Sequence, residues 1–82
     1  METKKELITK IESLDFYDKA IDWIEGQFSD WYNPSPARLK RFLTGFILEM
    51  TRSYKMDINN LTYDSLIDDW CIDEAFNEEF LD

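Results

Sequence analysis

Pro34-Ser35-Pro36-Ala37-Arg38-Leu39-Lys40-Arg41-Phe42-Leu43-Thr44-Gly45-Phe46-Ile47-Leu48-Glu49-Met50-Thr51-Arg52-Ser53-Tyr54 is the stretch on which the fold turns. Its start is set by chemistry. Proline has no backbone N–H and keeps the residue before it out of the helical region, so Asn33 and Pro34 cannot be helix interior. Ser35 suits an N-cap, because its hydroxyl can accept from an N–H of the first turn. Pro36 suits the first helical position, where the missing donor costs nothing. From there Leu39, Phe42, Leu43, Phe46, Ile47, Met50 and Tyr54 recur at the spacing of one buried stripe. Arg38, Arg41, Arg52 and Lys55 fall on the opposite face. The spacing predicts an amphipathic helix over 36–54, the clearest such signal in the chain.

Weaker patterns lie on both sides. Leu7, Ile8, Ile11 and Leu14 predict a short helix over 3–14. Asp15 reads as the N-cap of a second helix running to about Trp31. Phe16, Tyr17, Ala20, Ile21, Ile24, Phe28 and Trp31 form its apolar face, with Gly26 as an alternative break. Residues 55–60 read as a loop. Thr62 or Asn60 caps a fourth helix ending near Trp70 or Cys71 and buried through Leu66, Ile67 and Trp70. Residues 73–81, with Phe76, Phe80 and Leu81, either continue that helix or dock separately. The expected fold is all-α, a small bundle of four or five helices in a single domain over 1–82.

Composition agrees. The chain has no valine, two glycines, eight isoleucines and five threonines, few residues that favour strands. Eighty-two residues support one domain. Zero histidines remove the usual general base and the commonest metal ligand. One cysteine rules out an internal disulfide or a thiolate zinc site. No apolar run is longer than the three residues of Phe46-Ile47-Leu48, far below a membrane span. Met1-Glu2-Thr3-Lys4-Lys5 is followed by no apolar leader, so a reducing, cytoplasmic location is expected.

The net charge of −9 is unevenly placed. Residues 1–56 hold nine acids and nine bases; residues 57–82 hold nine acids and no base. Within the neutral part, residues 11–33 carry six acids and one base, and residues 34–55 carry five bases and one acid. One reading is that the acidic second helix and C-terminal segment flank the basic third helix and pair with it across the bundle. Arg38, Lys40 and Arg41 lie near the start of their helix, where the macrodipole disfavours cations, so a compensating negative group is expected. The acidic segment 57–82, interleaved with Trp70, Phe76 and Phe80, repels itself unless helix ends or a partner balance it. Thirteen aromatics exceed the about seven or eight rings that such a core holds, and Trp23, Tyr32, Tyr63 and Phe80 sit at the edges of their stripes.

Motifs with catalytic or metal chemistry fare poorly. Asp64-Ser65-Leu66 resembles the Asp-Ser-Leu of acyl carrier proteins, whose serine carries phosphopantetheine. That serine opens the second helix near mid-domain, with two helical segments after it; here only 17 residues follow Ser65. Asp57-x-Asn59-x-Leu61 lacks the oxygen ligands of a calcium loop. Cys71 has no base nearby to activate it. No enzyme activity, metal or cofactor is expected.

The remaining expectation is a binding module. Asp64, Asp68, Asp69, Trp70, Asp73, Glu74, Glu78 and Glu79 form an acidic, aromatic C-terminal face suited to a basic cleft on a target protein, with a nucleic-acid-handling protein as the expected kind of target. Phage anti-CRISPR or anti-restriction inhibitors and toxin immunity proteins are the classes that this size and charge suggest. One alternative is a structural subunit or adaptor joined through exposed aromatics. Another is a regulator that binds nucleic acid through the basic face of Arg38, Arg41, Arg52 and Lys55, with the acidic tail holding it off.

Overall fold

The computed structural model describes residues 3–28 and 34–81. Its centre is helix α3, Pro36–Arg52, which starts as its sequence requires. Ser35 is the N-cap and its Oγ accepts the Arg38 N–H at 3.3 Å, with Pro36 in the first turn. Leu39, Leu43 and Ile47 are fully buried along one side. The helix stops two residues short of the expected Tyr54. Lys55 adopts the left-handed conformation, φ 60°, and Met56 N–H returns to the Met50 carbonyl at 3.0 Å. Tyr54 therefore leaves the apolar stripe and is 64% exposed.

Two helices pack on α3. Helix α1, Lys4–Glu12, is capped by Thr3, whose hydroxyl accepts the Glu6 N–H and donates to the Glu6 carboxylate, each at 3.2 Å. This reciprocal cap satisfies a first-turn donor and fixes the helix start. Leu7 and Ile11 are buried. Helix α2, Tyr17–Glu25, buries Tyr17, Ala20, Ile21 and Ile24. Asp15 does not cap it; Phe16 holds the cap position with no side-chain bond. A tight turn, in which Tyr17 N–H reaches the Leu14 carbonyl at 3.0 Å, delivers the chain instead. Gly26 ends the helix, so the earlier of the two expected breaks is the one used. Trp31 and Tyr32 lie outside the described residues. Tyr17 ties α2 to α3: its hydroxyl shares a 2.8 Å hydrogen bond with Thr44 Oγ1.

Past residue 56 the helices shorten and loosen. The expected loop holds a single 3-10 turn, Ile58–Asn60, capped by Asp57, whose carboxylate accepts the Asn59 N–H at 2.9 Å. Ile58 and Leu61 on either side are buried. Helix α4, residues 63–69, begins at Thr62 and not Asn60: Thr62 Oγ1 accepts the Ser65 N–H at 3.1 Å, and Ser65 Oγ accepts the Thr62 N–H at 3.3 Å. Its last turn is wide, with Trp70 N–H bonded to the Ser65 carbonyl at 2.8 Å, five residues back. Cys71 then turns left-handed, φ 56° and ψ 50°, and separates α4 from helix α5. Helix α5 runs from Ile72 to Phe76 and continues through a second wide turn, Asn77–Leu81. The fifth helix is thus a separate element.

Leu66, Ile72 and Phe76 fasten α4 and α5 to the same core as α1–α3. Phe76 is the hub of the aromatic packing, 2% exposed, with ring centroids of Phe28 at 5.1 Å, Phe80 at 5.2 Å, Phe42 at 6.3 Å and Trp23 at 6.4 Å. Most of these meet edge to face, the arrangement ring quadrupoles favour. The described residues form no strand, and no helix among them is long and apolar enough to cross a membrane.

Candidate functional site

The backbone corner at Cys71 decides where the acidic side chains go. Residues 63–69 end in a wide turn and α5 starts immediately after the left-handed residue. Asp68 and Asp69 therefore come at the close of one helix and Asp73 and Glu74 in the first turn of the next. Cys71 sits between them, its Sγ–H directed at the Asp68 carbonyl at 3.5 Å. All four carboxylates are exposed. Partial burial first, then the charges of Glu74, Asp73, Asp69 and Asp68, push the Cys71 thiol above its usual range. A thiol held in its neutral form is a poor nucleophile.

The two pairs differ electrostatically. Asp73 and Glu74 face the positive end of α5, which favours them. Asp68 and Asp69 lie at the negative end of α4, which does not. Among the described residues, none of Asp64, Asp68, Asp69, Asp73, Glu74 and Glu78 has an ion-pair partner. Leu66 and Ile72, both fully buried, hold the corner on the core from each side. Trp70 is half-buried and packs against that core.

The rest of the expected acidic face is elsewhere. Asp64 lies in the first turn of α4, where the dipole favours it. Glu78 and Glu79 turn toward α3. Glu79 Oε1 is 3.7 Å from Arg38 Nη2, and the Arg38 guanidinium lies 4.9 Å from the centroid of Phe80. Arg38 and Arg41 face Glu78 and Glu79 across an open groove of about 410 Å³, beside Phe42 and Phe46. The negative group expected to compensate the start of α3 is thus Glu79.

The basic face divides as well. Arg52 lies at the other end of α3, in a shallow hollow with Lys4 and Glu49. Lys55 has left the helix line at its left-handed turn. Trp23, Tyr63 and Phe80 are half-buried, Trp23 and Phe80 against the core, and Tyr63 carries Lys19 Nζ 4.2 Å above its ring centroid. Among the described residues the exposed large hydrophobics are Tyr54 and Met56. The Ser65 hydroxyl, which the acyl-carrier resemblance would make the attachment point, is engaged in the Thr62 cap at 2.8 Å. No group of three or more His, Cys, Asp or Glu among the described residues is arranged to hold a metal ion.

Sequence reasoning missed the Cys71 corner, because no glycine or proline marks it. It also missed the Tyr17–Thr44 bond, which joins residues far apart in the chain. The fold and site define a small all-α bundle with an acidic corner. No protein-family model, curated protein or solved structure matches the chain.

Proposed function

We propose that this protein is a non-enzymatic binder that docks its acidic corner on a basic surface of a target protein. Asp68, Asp69, Asp73 and Glu74 make the contact, with the half-buried Trp70 next to them in the chain. The observation that carries this reading is the unbalanced charge at the corner: four exposed carboxylates flank one backbone turn, two of them against a helix dipole, without an ion-pair partner among the described residues. A cationic surface would relieve that repulsion. Charge of this kind speeds encounter and rejects wrong partners. Proteins that handle nucleic acid present such surfaces, and carboxylates at the corner would stand where phosphates otherwise bind. Inhibitors of the anti-CRISPR or anti-restriction kind and toxin immunity proteins are the classes that this size and charge suggest.

The test is affinity capture from host extract at low and high salt, using the wild type and the charge-reversed variant Asp68→Lys, Asp69→Lys, Asp73→Lys, Glu74→Lys. A partner that elutes with salt and is lost by the variant supports docking through the corner. A partner retained equally by both proteins rejects it.

The Arg38–Glu79 pair favours one second reading, in which the groove between α3 and α5 binds a nucleic-acid phosphate and Glu79 holds it off. Deleting α5 is a poor test, since Ile72 and Phe76 are core residues. Glu78→Gln with Glu79→Gln removes the charge and keeps the fold. DNA or RNA binding gained by that variant at low salt supports this reading, and no gain counts against it.

A further inference from the structure

The exposed side of α3 carries a residue that the chain's own packing does not require. Gly45 lies in mid-helix and is exposed, and a Cβ built there meets no atom within 4 Å. Glycine weakens a helix interior relative to alanine. What it offers in return is close approach of another backbone. Arg38, Arg41, Glu49 and Arg52 share this exposed side at helical spacing from Gly45, and Gly45 and Glu49 line the same open groove in which Arg38 and Arg41 face Glu78 and Glu79 of α5. The charges are arranged about it: Arg41 stands four residues before Gly45 and Glu49 four residues after.

An antiparallel helix related by a two-fold axis at Gly45 brings Arg41 against Glu49 of the second copy, and Glu49 against its Arg41. Arg38 then faces Arg52 of the second copy. Glu79 already neutralises Arg38 at 3.7 Å, and both side chains are about half exposed, so Arg52 meets a neutral pair.

We propose that this face of α3 is a self-association surface, on which a second copy packs antiparallel with Gly45 against Gly45 and two Arg41–Glu49 ion pairs. The contact is self-complementary, as a two-fold dimer demands. Glycine at the crossing allows the helix axes to approach at the short end of the usual range of about 8–10 Å. The acidic corner takes no part, so this proposal and the docking proposal can fail separately.

Sedimentation velocity of the full chain over a wide concentration range tests it, with Arg41→Glu, Glu49→Arg, the double exchange and Gly45→Ala beside the wild type. The wild type is expected to show a reversible monomer–dimer equilibrium. Each single reversal disturbs both symmetric pairs and is expected to weaken the dimer by roughly fivefold or more. The double exchange restores it. General charge repulsion predicts another pattern, because Arg41→Glu makes the chain more negative and Glu49→Arg less so, which moves dimerisation in opposite directions. Gly45→Ala is expected to raise the thermal midpoint while weakening the dimer, whereas a purely local role for glycine moves only the midpoint. A wild type that stays monomeric at every concentration overturns the proposal, and so does a dimer in which the double exchange fails to restore what the single reversals lose.

Discussion

Residues 3–56 and residues 57–81 reach the same core by different routes. The first region uses three regular helices, two of them opened by side-chain caps, and its eight acids nearly balance its nine bases. The second has no base, a 3-10 turn, two short helices with wide turns and a left-handed corner at a residue that is not glycine. The contrast shows what shapes the second region. Local propensity does not make a wide turn or a left-handed Cys71; such geometry survives where tertiary packing outweighs it. Ile58, Leu61, Leu66, Ile72 and Phe76 supply that packing, and each is buried against the first region. The carboxylates occupy what is left, the outward side.

Phe76→Ala breaks this dependence most severely. It is expected to cost about 3–5 kcal/mol, the range for removing a buried phenylalanine, as read by urea unfolding. A cost below about 1 kcal/mol would mean that α5 is not part of the cooperative core. Thr62→Ala removes the cap of α4 and is expected to cost about 1 kcal/mol. Hydrogen exchange should place the loss in 57–81 and leave α1–α3 protected. Within the first region, Tyr17→Phe is expected to cost about 1 kcal/mol through the lost Thr44 bond. Tyr17 also adds a pH dependence. Burial, the largest cause, and the nearby Glu12 and Asp18 charges raise its phenol above the usual 10.0, although the Thr44 bond opposes the shift. The unfolded chain therefore loses this proton first, and the Tyr17 contribution is intact below about pH 10 and falls away as pH rises through the raised value. Unfolding midpoints taken across that window should fall less in Tyr17→Phe than in the wild type. Arg38→Gln, which removes a half-exposed ion pair between the regions, is expected to have the smallest effect, under about 1 kcal/mol and smaller still in high salt.

The two regions also differed in how much of them could be read from the sequence. The start of α3 was legible to the residue, because Ser35 and Pro36 carry specific backbone chemistry. Its end was not, because Lys55 takes a left-handed turn that glycine usually signals. The Asp15 cap failed for a related reason: a tight turn after Leu14 brings the chain into α2 without a side-chain bond. Ile58 was hidden in a segment read as loop, since one isolated apolar residue has no period. The acidic surplus of 57–82 could be counted directly. Its division into a corner at Cys71 and a groove at Arg38 could not, because that depends on where the chain turns and on which helix α5 lies against.

The central claim is that the Cys71 corner docks by charge on a basic surface. The most direct measurement is the association rate of the captured partner with the wild type and with the quadruple reversal at Asp68, Asp69, Asp73 and Glu74, each across a salt series, with thermal unfolding of both proteins alongside. The expected result is a wild-type rate that falls steeply with salt, a variant at least about tenfold slower at low salt, and a variant that remains folded. Equal rates for two folded proteins, with a flat response to salt, would contradict the account and leave the corner as no more than a solvated turn.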